Sequence, residues 1–425
     1  MPSLVSPFRA LRPRPDRAGD VIAPPYDVVN TDEARALAAG RPASFLHISR
    51  PEIDLAPGTS PYSDEAYARG AANLARLVET GVLTRDAEPS YYVYRIAMQG
   101  RVQTGIALAA SVAAYEAHRI RRHELTRPDK ENDRVRNIDS LNAQTGPVLL
   151  AYRANAELRS LVRDAAAGAP LLSATGPNET QHTIWRVADL ERVAELTEAF
   201  DALDALYIAD GHHRSAAALR VAQARRTARQ RATPGAARGA ARTEAIASHE
   251  YFLAVAFPHD EMRILDYNRV VRDLNGLKVD ALLARVRESF DVEISAAPVQ
   301  PARRETFGLF VAGRWYRLAI HPALVPRADP VASLDVSLLQ DRLLAPILGI
   351  GDPRTDKRID FVGGVRGLAE LERRVVSGRD AAAFAMRATR MEQLMAVADA
   401  NRLMPPKSTW FEPKLADGLL SHVLD

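Results

Sequence analysis

The densest chemistry in the 425-residue chain is Asp210-Gly211-His212-His213-Arg214. An apolar run, Ala205–Ala209, precedes it, and a helix-forming run follows from Arg214 to about Arg229. The spacing predicts strand, tight turn, helix. A helix N-terminus exposes unpaired N–H groups and a partial positive charge, which together hold phosphate well. Gly211 lets the backbone turn sharply and come close to a ligand. Arg214 supplies a fork that matches phosphate oxygens, and His212 and His213 exchange protons near neutral pH. The plain alternative is a capped helix start with solvated histidines. A Walker A loop is excluded, because Gly-x-x-x-x-Gly-Lys-Ser/Thr occurs nowhere. Adjacent histidines diverge on a helix, which argues against a two-His zinc face.

A second group is His123-Glu124-x-Thr126, followed by Lys130, Asp133 and Arg134. Glu124 or Asp133 suits a general base or magnesium ligand, and Lys130 and Arg134 suit phosphate charge. No second histidine follows at the metalloprotease spacing. A third group lies near the chain end: Lys407-Ser408-Thr409 and Lys414, among Pro405, Pro406 and Pro413. A fourth is Pro24-Pro25-Tyr26-Asp27, a rigid turn carrying a hydroxyl and a carboxylate. For each of these the bland readings are a solvated charged segment, packing by Trp410 and Phe411, and a structural turn.

Composition narrows the chemistry. Lys and Arg number 56 against 53 Asp and Glu, a net charge of +3, and only five of the 56 are lysines. In a chain that writes arginine by default, a lysine marks a place where a compact point charge is wanted. Three of the five, Lys130, Lys407 and Lys414, fall inside the groups above. There is no cysteine, which removes disulfides, thiolate zinc sites, iron–sulfur clusters and thiol nucleophiles. No stretch nears 18 consecutive apolar residues, and Met1–Asp20 lacks the apolar core of a signal peptide, so the expectation is a cytoplasmic protein with no membrane partner. A charge of +3 over this length makes nucleic acid an unlikely partner.

The elements that must position these groups are mixed. Helices are expected from Thr31 or Asp32 onward and over 64–83, 279–290, 333–348, 367–376 and within 381–403. Strands are expected at Ser44–Ser49, Thr183–Val187 and Tyr251–Phe257, a helix or strand ending at Val148–Leu150, and hairpins around Gln99-Gly100 and Gly313-Arg314. Residues 225–243 are almost all Arg, Ala, Thr, Gly and Pro and are expected to be a mobile insertion, the one surface that could touch nucleic acid. The fold class is α/β in the mixed, α+β sense. Two regions are expected: 1–275 holding the site, and 276–425, whose tail 404–420 packs back on it.

The four groups resemble, in order and over nearly the whole chain, a bacterial and archaeal family known as domain of unknown function 1015. The matching pieces are Pro7–Pro13, Ala23–Val28, His123–Thr126, Lys130–Arg134, Ala209–Arg214 and Met404–Thr409 to Lys414. At Tyr267-Asn268-Arg269 the resemblance leads one to expect histidine in place of Asn268. The Gly-His-His-Arg turn is further similar to that of the ParB/sulfiredoxin superfamily, which implies a ParB/sulfiredoxin-like core with an added C-terminal α/β unit. It also implies a nucleotide polyphosphate held at Gly211, His213 and Arg214, with Lys130 and Arg134 offsetting charge. Some members of the family look like ATP-dependent kinases of free L-serine, so the resemblance implies phosphoryl transfer from ATP to serine, with Mg2+ on the phosphates. Glu124 is the first choice of base and Asp210 the second, with His212 beside them. Tyr26, Asp27, His123, Thr126, Asp133, Lys407, Ser408 and Thr409 are expected to line the substrate pocket. The alternatives are a ParB-like nucleotide-binding regulator, and a phosphohydrolase or nuclease using the same turn. Donor, acceptor and oligomeric state stay open.

Overall fold

A computed structural model describes residues 3–232 and 247–425. The chain divides into two units, 1–262 together with 413–425, and 263–412. The fold is mixed α/β, and its largest sheet combines antiparallel and parallel pairings.

The first unit is built on a large sheet. Its strand order is Ile120–Arg121, Leu206–Asp210, Val148–Tyr152, Tyr251–Pro258, Arg101–Ser111, Tyr91–Met98, Gln181–Val187 and Leu172–Thr175. Val5–Ser6 also pairs with Arg101–Ser111. Leu206–Asp210 runs parallel to Ile120–Arg121, and Tyr251–Pro258 parallel to Val148–Tyr152. Tyr91–Met98 and Arg101–Ser111 form the expected hairpin, with Gln99 and Gly100 both at positive φ. The central strands are apolar up to Asp210 at the end of one of them, as strands covered on both faces must be. Tyr91, Tyr152, Phe200 and Phe252 are among the largest side chains in this core.

Two helices carry most of the candidate residues. Pro128–Leu141 starts with proline at its first turn, has Asp129 and Glu131 there, and ends on Asn142 at φ 46°. His212–Ala232 follows directly on Gly211. Ile138 of the first helix and Ala217 and Val221 of the second share an apolar cluster with Leu424. Arg220 reaches across to Glu131 at 3.4 Å and to Asn132 at 2.9 Å.

A second, four-stranded sheet of this unit orders Leu83–Arg85, Ala10–Pro13, Ser421–Val423 and Ala143–Gln144. Residues near both ends of the chain are thus neighbours, with Ala10 opposite His422.

The unit 263–412 has an antiparallel six-stranded sheet, ordered Phe290–Ser295, Arg314–Ile320, Thr306–Val311, Ala382–Ala385, Tyr267–Val271 and Ile359–Gly363. It begins at Arg263, ahead of the expected 276, because Tyr267–Val271 is an inner strand of this sheet. Asn268, where histidine was expected, is buried; its side chain donates to Asp266 at 2.6 Å and accepts from the Met386 N–H at 2.8 Å. It is a bracket inside the sheet.

Three local expectations change. Ser44–Ser49 is no strand: Leu46–Ser49 is a helical turn burying Leu46 and Ile48, with the Phe45 carbonyl accepting from Ile48 and Ser49. The cap of the helix Thr31–Ala38 is Asn30, in a reciprocal capping box with Glu33, and not Thr31 or Asp32. The expected mobile stretch 225–243 is helical as far as Ala232; its remainder lies outside the described residues. Ion pairs anchor the stretch where the helix and the expected insertion overlap. Arg226 binds Glu116 and Glu250, and Arg225 donates to Asn142 at 2.8 Å.

Candidate phosphate-binding site

The strand Leu206–Asp210 delivers Asp210 to the edge of the sheet, where the register slips between Ile208 and Asp210. Gly211 then turns at φ +98°, a conformation that side chains rarely adopt. A Cβ there would also sit 3.3 Å from the Val148 Cα and 3.1 Å from the Arg214 guanidinium carbon. Arg214 and Ser215 donate the first helical hydrogen bonds to the Gly211 carbonyl, so the N–H groups ahead of them face the turn. No acidic residue lies in the first helical turn, so no carboxylate of the helix itself offsets the dipole's positive end.

Charges converge on this turn. Lys414 Nζ lies 2.9 Å from Asp210 Oδ2. Arg214 Nη2 lies 3.8 Å from Asp210 and 3.9 Å from Asp27, and its Nη1 donates to the Pro147 carbonyl. Burial works against the Asp210 charge, but Lys414 and Arg214 outweigh it and hold the carboxyl well below the usual range. Burial likewise opposes the Arg214 charge, and Asp27 and Asp210 more than restore it. Asp210 therefore serves better as an ionised anchor for two cations than as a proton acceptor.

The histidines are arranged in pairs. His212 is buried, and its Nε2 accepts from the His123 N–H at 3.4 Å. The His123 and His212 rings meet edge to face with centroids 4.5 Å apart. Burial pushes both below the ordinary imidazole value, His123 to about 4, with Ile208 and Asp210 opposing weakly. Neither ring nitrogen of His123 meets hydrogen-bond geometry with a partner among the described residues. Glu124 stands 3.9 Å from His212 Nδ1 and is 35 % exposed. His213 Nε2 accepts from the Arg127 N–H at 3.0 Å, and burial lowers its pKa too.

Around the start of Pro128–Leu141 the expected groups separate. Lys130 Nζ donates to Tyr62 at 2.7 Å at the surface. The Thr126 hydroxyl is taken up by the Glu131 carboxylate. One turn on, Asp133 accepts from Tyr67 at 2.7 Å and from Arg134 at 2.7 and 2.9 Å. Arg134 lies flat over Tyr26, 3.8 Å from its ring centre. Burial lifts Tyr26 to about 12 despite Arg134, so its hydroxyl stays protonated.

Tyr26, Arg134 and Arg214 line a cavity of about 440 Å3, its open mouth included. Ser49 and Asp417 line it too, with Asn137, Gln144 and Thr145. Spacing in the sequence marked neither Ser49 nor Asp417. Asp417 carries only the turn signal Asp417-Gly418, and Gly418 is at φ +89°. Lys414 was legible as a scarce lysine, but its partner Asp210 was not.

Lys407, Ser408 and Thr409 belong to the unit 263–412. Lys407 lies over the Tyr267 ring at 5.6 Å, and its carbonyl accepts from Arg269 at 3.0 Å. Ser408 is buried, donating to the Pro405 carbonyl at 2.6 Å, and its own carbonyl accepts from Thr389 at 2.8 Å.

Among the described residues no cluster of three or more His, Asp or Glu is placed to cage a metal ion, and no helix is long and apolar enough to cross a membrane. A family model described as a protein of unknown function, DUF1015, matches residues 5–337. No curated protein matches the chain. Solved structures similar to it include a mutant free serine kinase in complex with AMP, at 12 % identity and TM-score 0.34, covering 74 % of this chain and 90 % of that one. A C-terminally truncated SbnI from Staphylococcus aureus is similar at 10 % identity and TM-score 0.36, covering 73 % and 85 %. A conserved hypothetical protein from Pyrococcus furiosus is similar at 13 % identity and TM-score 0.33, covering 76 % and 97 %.

Proposed function

The chain belongs to the DUF1015 family, and from that premise we propose that it is a nucleotide-dependent phosphotransferase, moving a phosphoryl group from ATP to the hydroxyl of free L-serine in the cytoplasm. Its core is assigned, in the same proposal, to the ParB/sulfiredoxin type. The observation that carries the reading is the turn at Gly211: an acid-free helix start beside a guanidinium and an ammonium, Arg214 and Lys414, both held by Asp210. Phosphate chemistry asks for positioning and charge stabilisation more than for covalent help.

In the proposed reaction the phosphates rest on the N–H groups at Gly211–His213, with His213 and Arg214 as side-chain ligands. The bond from the γ-phosphorus to the bridging oxygen breaks, ADP leaves, and the serine oxygen bonds to phosphorus. The hydroxyl proton passes to Glu124, the half-exposed carboxylate beside His212. The neutral His212, kept so by burial, orients Glu124 without repelling a base's proton. With no protein cage among the described residues, the donor set fits a magnesium ion that arrives on the phosphates and keeps most of its waters. Asp27, beside Arg214, would hold it there, and it would neutralise phosphate charge.

Incubation with ATP, Mg2+ and L-serine, followed by mass spectrometry, tests the reading. O-Phosphoserine and ADP in equal amounts are expected. ADP and inorganic phosphate without phosphoserine would make the protein a hydrolase, and no turnover with any hydroxyl acceptor would sink the transferase reading.

A further inference from the structure

The cavity beside the turn contains groups that the phosphoryl step leaves unused. Asp417 is buried, and its Oδ1 has no hydrogen-bond partner among the described residues. The buried Ser49 hydroxyl is in the same condition. Both line the cavity with Arg134 and Arg214. Arg214 Nη2 has its two carboxylates at 3.8 and 3.9 Å, beyond hydrogen-bond reach, so it has donors to spare. Gly146 leaves the gap open: a Cβ there would lie 3.4 Å from Arg214 Cδ and 3.5 Å from Asp417 Oδ1.

Two guanidiniums alone would suit any small anion. The unpartnered carboxyl oxygen changes that, because it repels a phosphate and accepts from an ammonium. We propose that this cavity is the acceptor subsite for a compact zwitterion, an α-amino acid, with Arg134 on its carboxylate, Arg214 shared between that carboxylate and the phosphates, and Asp417 Oδ1 on its ammonium. Ser49 is then a further polar partner at the cavity wall. Burial raises Asp417 to about 7, above what Arg214 and Arg134 would allow alone, and an arriving ammonium would supply the charge that ionises it. Asp417 becomes the residue that tells an amino acid from a hydroxy acid, and Arg134 serves the acceptor instead of the phosphates. The assignment rests on the phosphotransferase reading only for the word acceptor.

Calorimetric titration of the full chain without nucleotide tests it, with L-serine, 3-hydroxypropanoate (no ammonium) and ethanolamine (no carboxylate). Serine is expected to bind, and each analogue at least about tenfold more weakly. Asp417→Asn is expected to bring serine down to the level of 3-hydroxypropanoate while ATP affinity stays within about twofold. Equal binding of serine and 3-hydroxypropanoate, wild-type serine affinity in Asp417→Asn, or no serine binding by the wild type overturns the proposal. If Asp417→Asn does not fold, Gly146→Ala decides. Its methyl makes only ordinary contacts, so it keeps the fold and narrows the gap, and unchanged serine affinity in it overturns the proposal equally. Serine binding without transfer from ATP would leave the subsite standing and remove the kinase. Transfer to other hydroxyls without serine binding would do the reverse.

Discussion

Asp210 and Asp417 are the same residue type in opposite circumstances. Lys414 at 2.9 Å keeps Asp210 ionised, while Asp417, lacking such a partner, is lifted by burial to about 7. The folded state therefore holds a proton on Asp417 that the unfolded state releases above about pH 4, so its contribution to stability is lost as pH rises through 7. Asp417→Asn is expected to raise the melting temperature by about 2 °C or more at pH 8 and by less at pH 5, measured by differential scanning calorimetry. His123 works the other way. Its folded value of about 4 lies below the unfolded 6.5, so stability is full above 6.5 and falls as pH drops toward 4. His123→Phe is expected to flatten that acid limb, and an unchanged slope would refute the assignment. Arg214→Ala removes a charged donor from the phosphate turn; a loss of about 1.5–3 kcal/mol, or roughly 10- to 100-fold in ATP affinity, is expected by calorimetry. Much of this was readable beforehand. Gly211, His213 and Arg214 fall within four consecutive residues, and the chemistry of a helix start does not depend on distant residues. Asp417 and Ser49 were not readable, since they matter only through what lies across the cavity, 368 residues apart in the chain.

The element that organises the site is the strand–turn–helix from Leu206 to Ala232. Its hinge is Gly211, and Gly211→Ala is expected to cost about 1–3 kcal/mol in stability, because φ +98° and the nearby Val148 backbone both oppose a methyl. Chemical denaturation would check this, and an unchanged midpoint would show that the turn relaxes. Periodicity placed this helix correctly but stopped it too soon. An Arg- and Ala-rich run has no apolar stripe to mark its end; the tie to other elements is at Arg226, which pairs with Glu116 and Glu250. Ser44–Ser49 failed for a related reason. Its short apolar run has no period long enough to separate a strand from a helical turn, and packing settles the matter.

The whole molecule has a discontinuous first unit, closed by residues 413–425 after the chain has built 263–412. The fold class was legible from alternating strands and helices. The re-entry was not, because Pro413 looks in sequence like any other break. Removal of 413–425 deletes Lys414, Asp417 and the strand Ser421–Val423 that pairs with Ala10–Pro13. Such a truncated chain is expected to lose detectable ATP binding in a thermal-shift assay. Wild-type nucleotide affinity in it would show that Lys414 and the strand are dispensable.

That re-entry also sets a timetable. Translation is vectorial, so the nascent chain displays the turn at Gly211 long before Lys414 and Asp417 emerge from the ribosomal exit tunnel. Until the intervening unit has been synthesised, Asp210 lacks its lysine, the cavity lacks its carboxyl wall, and one sheet lacks an inner strand. Ligand competence therefore waits on the synthesis of 413–425, and a polypeptide stopped before them is expected to display the turn without its lysine or its carboxyl wall.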